Sequence, residues 1–400
     1  MYFSKVYAVL SLAAACGAFS VSAETVVTKL NPHAVEVDFD GGTQMLVDFY
    51  GDNIFRLFSD PDGGIVKPPV ADPPAQILVD SPRADMGEVT ITSDKDRIYV
   101  TTSKVKITLE KKSPLFSVTN LSTGKTVVET LSPVEFDGGM TKLSVKTGPG
   151  EYFYGGGVQN GRFSHRGKTI EIRNTNSWTD GGVASPTPYY WSTGGYGMMW
   201  HTFAPGSYDF GATDPGVVSL SHEIPYLDMF FMVSPSPVGL LNDFYQLTGN
   251  PVLLPKFGFY EGHLNAYNRD YWKEDDNGIL YEDGKKYKES QTDNGGIRES
   301  LNGELPGNYQ FSARAVIDRY NAHDMPLGWI LPNDGYGAGY GQTSTLDGNV
   351  QNLREFGEYA RKHGVEIGLW TQSDLHPKDG IEPLLQRDIE GGEGCRCARA

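Results

Sequence analysis

Four hundred residues allow two ordinary domains, each with a core of its own. Hydrophobic residues at 39% and charged residues at 21% are the proportions of a folded chain and argue against wholesale disorder or a multi-span membrane protein. A formal charge of −16, with no basic stripe interleaved with aromatics, argues against nucleic-acid binding and leaves neutral or cationic partners.

Residues 1–23 read as a secretory signal. Lys5 supplies the positive end, residues 6–19 are apolar or small, and Val21-Ser-Ala makes a cleavage site before Glu24. Export to the periplasm or the extracellular space is therefore expected. The alternative is a lipoprotein anchored through Cys16, which follows Ala13-Ala-Ala. No other stretch reaches the roughly 18 apolar residues of a spanning helix. The other two cysteines, Cys395 and Cys397, lie close to the last residue, so residues 24–394 can build neither a disulfide framework nor a thiolate metal site.

Residues 24–250 read as a β-sandwich, and the β reading runs unbroken to about residue 245. Short apolar runs at 35–39, 45–49 and 53–58 alternate or cluster as strands do, and 97–102 pairs naturally with 105–110. The runs at 116–119 and 126–130 flank Asn120-Leu-Ser-Thr-Gly-Lys, a hairpin with glycine at its turn. The proline-rich stretch 67–82 is expected to be a surface loop. The 48 glycines and 22 tyrosines suit such a fold, and aromatic faces also suit sugars.

The period changes after Pro251. Residues 257–264 read as a strand, 265–308 as a polar segment with a small surface hairpin at Tyr281-Glu-Asp-Gly-Lys-Lys-Tyr, and a helix follows, capped by Ser312, with Ala313, Val316, Ile317 and Tyr320 on one face. A strand at 326–331, a helix at 349–363 ended by Gly364, and a strand at 365–370 complete a βαβαβ order. That order demands a parallel sheet. No strand is followed by the Gly-x-Gly-x-x-Gly turn of a dinucleotide fold, so an oxidoreductase reading lacks its phosphate site. Polar residues instead gather at the expected strand ends: Glu261, His263, Asn265, Asn333, Asp334, Gln372, Asp374 and His376. This is how a (β/α)8 barrel presents an active site, and residues 251–390 read as its first three βα units. Asp275-Asp-Asn-Gly with Glu282 lacks the ligand spacing of a calcium loop. No serine or cysteine stands in a nucleophile elbow. No metal and no cofactor are expected, and the sequence sets no oligomeric state.

Four segments then carry a resemblance to glycoside hydrolase family 31, the α-glucosidase, α-xylosidase and α-galactosidase family. Tyr152-Phe-Tyr-Gly-Gly-Gly resembles its "YGxGE" strand, with Gly157-Val where others have Gly-Glu. Asn176-Ser-Trp-Thr-Asp, followed by Pro188-Tyr-Tyr-Trp and Gly195-Tyr-Gly-Met-Met, resembles a segment that dips toward the active site. Leu254-Pro-Lys-Phe-Gly-Phe is similar to the family's barrel entry. Leu327-Gly-Trp-Ile-Leu-Pro-Asn-Asp-Gly-Tyr resembles "LDVxWxDIDY", in a form that, with Leu369-Trp-Thr-Gln-Ser-Asp, looks like the bacterial α-galactosidase branch.

The resemblance implies a galactose-mutarotase-like sandwich before a (β/α)8 barrel, and a retaining two-carboxylate hydrolase of terminal α-linked sugars. Among those sugars it favours α-galactosides, with α-glucosides and α-xylosides open. It places Asp334 at the carboxylate that hydrogen-bonds the sugar being cleaved, and Trp370, Glu261, Trp178 and Asp180 are further candidates for the pocket wall. The nucleophile and the acid/base are expected beyond residue 400, so the chain itself is expected to be inactive. Residues 391–400 are read as an aberrant tail of the kind a frameshift near residue 390 leaves. The competing reading is a non-catalytic, exported, carbohydrate-binding β-domain protein.

Overall fold

The structure, a computed structural model, describes residues 25–62, 76–175, 177, 179–264, 270–332 and 350–368. The signal and tail segments, residues 67–75 of the proline-rich stretch, Trp178, Asp334 and Trp370 all lie outside the described residues. The chain divides into two units, Met1–Pro251 and Val252–Ala400.

The first unit opens with strands β1 (Val26–Asn31), β2 (Ala34–Asp38), β3 (Gln44–Gly51), β4 (Ile54–Ser59) and β5 (Thr90–Ser93). Next come β6 (Arg97–Thr101), β7 (Val105–Glu110), β8 (Phe116–Asn120), β9 (Lys125–Glu129), β10 (Glu135–Asp137) and β11 (Met140–Lys146). They are followed by β12 (Phe153–Gln159), β13 (Thr169–Ile172), β14 (Val183–Ser192) and β15 (Tyr196–Trp200). The last three are β16 (Gly206–Phe210), β17 (Val217–His222) and β18 (Leu227–Val233). They form an eight-stranded sheet, in the order β1-β2-β3-β4-β18-β15-β14-β12, and two five-stranded sheets, β5 to β9 in sequence and β10-β11-β17-β16-β13.

Both smaller sheets share one apolar core with the large one. Strand β7 shows why: Val105, Ile107 and Leu109 point in while Lys106, Thr108 and Glu110 point out. Phe231 of the large sheet stacks on Phe55 at 4.9 Å and meets Phe116 edge-on at 5.8 Å, joining two layers through three rings. This is the two-layer sandwich that the alternating strands predict.

Strand β4 is buried along its whole length because both faces of the large sheet are covered. Its other face lies under α1 (Pro237–Thr248), where Leu240 and Leu247 pack with Tyr50, Ile54, Phe230 and Met232. This helix corrects the expectation of unbroken β-structure to residue 245. Pro237 sits at the first helical turn, where its fixed φ helps, and the buried leucines recur at the spacing of two turns.

The second unit contains a parallel sheet of β19 (Glu261–Leu264), β23 (Leu327–Leu331) and β24 (Glu366–Ile367). Inserted after β19 are β20 (Tyr271–Leu280), β21 (Lys286–Ser290) and β22 (Ile297–Arg298). Helices α2 (Ala313–Ala322) and α3 (Val350–Lys362) cover one face of the parallel sheet, burying Ile317, Ile330, Phe356 and Ala360 together. The parallel βαβαβ order is thus as expected.

Two expectations need correction here. The strand expected at 257–264 begins only at Glu261, because Lys256–Phe259 is a 3-10 turn. Its backbone folds over β23: a Cβ on Gly328 would sit 2.4 Å from the Phe257 carbonyl oxygen. The segment expected to be a polar loop with one hairpin is a three-stranded antiparallel sheet, β21-β20-β22, with a core of Trp272, Tyr287 and Phe311. The hairpin at Tyr281 is present, closed by Gly284 with φ +80° and by hydrogen bonds between Tyr281 and both Lys285 and Gly284.

Ser312 caps α2 as expected, its hydroxyl accepting from the Ala315 amide at 3.1 Å. Ser312→Ala leaves that amide without its partner in a buried place. We expect a loss of about 1 kcal/mol in the stability of this unit, read by urea denaturation.

Candidate functional site

Each unit carries its own candidate region. In the second unit the three parallel strands end level: Leu264 pairs with Leu331, Ile330 with Ile367, and the Gly368 amide donates to the Ile330 carbonyl at 2.9 Å. Level parallel ends mean that the chain leaves all three strands along one edge. In sequence, Asp334 follows Leu331 by three residues and Trp370 follows Gly368 by two.

The register also sorts side chains by face. His263 and Ile330 face the helices: His263 Nδ1 lies 3.2 Å from the Tyr320 hydroxyl of α2, and burial lowers the imidazole's affinity for a proton. Gly262 and Trp329 face the other way, as does Glu366, which pairs with Trp329. The Trp329 indole lies across Gly262 so closely that a Cβ there would be 2.3 Å from the ring.

Placement revises two sequence candidates. Glu261 opens β19 instead of closing it, paired with Leu327 and exposed, about 10 Å of strand away from Leu264. It therefore lies at the opposite end from the edge that precedes Asp334. His263 faces α2, on the far side of the sheet from Trp329. The sequence signal for Trp329 was present, since it alternates with the buried Ile330, but strand period alone does not tell which face is open.

In the first unit the candidate region hangs on β12, the last strand of the large sheet. Asn160 organises the segment that follows: its amide donates to the Gly182 carbonyl at 2.9 Å, its side chain donates to the Ser177 carbonyl at 2.6 Å, and its own carbonyl accepts from Gly181 at 2.8 Å. This holds Asp180 at the surface and against Gly161, where any Cβ would lie 1.7 Å from Asp180 Oδ1. Strand β12 also carries a ring cluster that sequence reasoning passed over. Tyr154 stacks on Trp191 at 4.5 Å and meets Phe163 edge-on at 5.4 Å, and Phe163 is 86% exposed. An exposed ring offers a face for the C–H groups of a sugar, and an exposed carboxylate offers an acceptor for its hydroxyls. Among the described residues no group of three or more His, Cys, Asp or Glu is arranged to hold a metal ion.

Known proteins share this architecture. Residues 44–209 match the family model described as the glycosyl hydrolase 31 N-terminal galactose mutarotase-like domain. An α-xylosidase from Emericella nidulans is 27% identical over 143 residues, which is 36% of this chain and 18% of the relative. These findings support glycoside hydrolase family 31. Among solved structures, a Flavobacterium johnsoniae GH31 dextranase in complex with isomaltotriose superposes with a TM-score of 0.68 at 13% identity. The match covers 92% of this chain and 40% of that one. A GH31 α-xylosidase from a soil metagenome, in complex with xylose, gives 0.64 at 15% identity over 92% of this chain and 50% of its own. At such identities the likeness is one of fold. The chain spans half or less of the length of these relatives. Among the described residues no helix is long and apolar enough to cross a membrane.

Proposed function

We propose that this chain supplies the sandwich and the substrate-binding start of the barrel in a retaining α-glycosidase acting on terminal α-linked sugars. The observation that carries the reading is the level edge of β19, β23 and β24, beyond which Asp334 follows in sequence. A carboxylate at the C-terminal end of a barrel strand is placed to accept hydrogen bonds from neighbouring sugar hydroxyls. Trp370, two residues past Gly368 in sequence, is the proposed ring partner. Trp178 and Asp180 are proposed separately as a polar and aromatic sugar contact of the sandwich itself. Glu261, at the far end of its strand, is the weakest member of the set.

The names of the relatives support a choice among the sugars. They are named as α-xylosidases and a dextranase, so α-xylosides and α-glucans stand ahead of the α-galactosides that the Asn333-Asp-Gly-Tyr form favours. Cleavage in this class takes two carboxylates about 5 Å apart, one nucleophile and one acid/base. Asp334 is proposed as neither. Its role is to bind.

Isothermal titration of the chain with xylose, isomaltotriose and galactose tests the reading. We expect one of the three to bind and Asp334→Asn to weaken it about 10- to 100-fold, the usual worth of a charged hydrogen bond. Binding by none of the three, or binding that Asp334→Asn leaves unchanged, would overturn the placement. Release of nitrophenol from aryl α-xyloside, α-glucoside and α-galactoside by the whole protein tests catalysis separately.

A further inference from the structure

Three carboxyl groups share one face of the inserted sheet in the second unit. Trp272 pairs with Glu289 on one side and Ile297 on the other, and Asp270 and Glu299 lie two residues along from Trp272 and Ile297, on the same face. The Glu299 amide donates to the Asp270 carbonyl at 2.8 Å, which fixes the two residues side by side. Asp270 is 1% exposed and Glu299 8%, whereas Glu289 reaches the surface. Glu299 Oε1 accepts from Trp272 Nε1–H at 2.7 Å, and Glu299 Oε2 is buried without a hydrogen-bond partner among the described residues.

A buried carboxylate with one oxygen unsatisfied and two acids beside it is costly, whereas the neutral acid is not. Among the described residues little compensates the charge of Glu299. From the strands, Asp270 and Glu289 face Glu299. From the turn, Tyr281 does, its hydroxyl itself pushed up to about 12, chiefly by burial. Among the described residues the nearby cations are engaged elsewhere: Arg319 of α2 binds Glu282 and the Gln310 carbonyl, and Arg298 lies over the Tyr271 ring. Burial first, then Asp270 and Glu289, raise the Glu299 carboxyl to about 7, against the pull of the Trp272 N–H.

We propose that Glu299 is a proton-operated latch for the inserted sheet, holding β20 and β22 closed on the Trp272 core while neutral and loosening them when it ionises beside Asp270 and Glu289. The sign follows from linkage. A carboxyl whose folded affinity for a proton exceeds its unfolded one favours the folded form at low pH. That advantage is lost as pH rises from the unfolded value of 4.5 to about 7. The insert joins β19 to α2, so the latch acts on the connection that leaves the first parallel strand at the level edge. It does not depend on which sugar, if any, the chain binds.

Hydrogen exchange of the whole chain, read as protection factors for peptides across 271–298 against the reference strands at 34–58, tests this. Between pH 6 and pH 9 the insert should lose about tenfold in protection relative to the reference. Glu299→Gln keeps an acceptor for Trp272 without a charge and should flatten that profile. Asp270→Asn removes a repelling neighbour and should move the midpoint to lower ionisation pH. A flat wild-type profile overturns the proposal, as does a Glu299→Gln profile that still titrates. If Glu299→Gln does not fold, the Asp270→Asn midpoint decides: moved supports the latch, unmoved overturns it.

Discussion

Asp228→Ala is expected to cost the sandwich unit about 3–5 kcal/mol, read as the shift of its urea or guanidinium transition. Asp228 and Arg56 are each 1% exposed at the centre of the large sheet, on adjacent strands β18 and β4. The pair is bidentate, Arg56 Nε donating at 2.6 Å and Nη2 at 2.9 Å, and His201 Nδ1 lies 3.2 Å from the second carboxylate oxygen. Removing Asp228 leaves a guanidinium buried beside the Phe58 ring without its main counter-charge. The large loss measures that stranded charge, not the net worth of the pair.

A second variant separates the two meanings. Arg56→Met combined with Asp228→Leu removes both charges and should recover most of what either single change loses. Equal losses for the single and double variants would show that packing, and not charge, holds the centre of the sheet. The pair also sets an acid limit. Burial alone would raise the Asp228 carboxyl, but the hydrogen bonds and charges of Arg56 and His201 hold it below its ordinary value of 3.8. Its contribution is therefore complete above 3.8 and is lost as pH falls through the lower folded value.

Legibility in the sequence followed the length of the pattern. The alternation of Val105, Ile107 and Leu109, the Gly124 hairpin and the Ser312 cap were all readable, because each rests on a period or a local hydrogen bond within a few residues. Helix α1 was not, because Val238 and Leu241 are apolar but exposed and blur its buried stripe. The strand start at Glu261 was missed for a similar reason. Phe257 and Phe259 look like strand residues, but they have no partner in β23, whose register begins at Leu327. The face on which Trp329 lies, and the ring cluster of Tyr154, Phe163 and Trp191, depend on pairings between distant segments that no local pattern carries. Arg56 and Asp228 are the extreme case. Nothing in either neighbourhood announces a partner 172 residues away.

Gly157→Ala should be the most damaging single methyl group in the sandwich, at about 3 kcal/mol or more, with loss of soluble protein if the unit cannot absorb it. Gly155, Gly156 and Gly157 all have positive φ, and the pairing of β12 with β14 slips between Gly155 and Gly157 and again after Val158. A Cβ on Gly157 would lie 2.1 Å from the Ser185 carbonyl oxygen and 2.6 Å from the Thr187 amide, both backbone atoms held in β14. On Gly156 the nearest atom is instead the Ile170 side-chain methyl at 2.5 Å, which can turn away. Gly156→Ala should therefore cost less, about 1–2 kcal/mol, most of it the left-handed backbone. The order of the two is the test, measured by thermal unfolding and by the yield of folded protein. If Gly157→Ala proves as mild as Gly156→Ala, then β12 is free to move off β14 and the close approach does not fix it. If the order holds, glycine here serves the backbone alone. The bulged strand then sets where Asn160 begins, and Asn160 in turn holds Asp180 against Gly161.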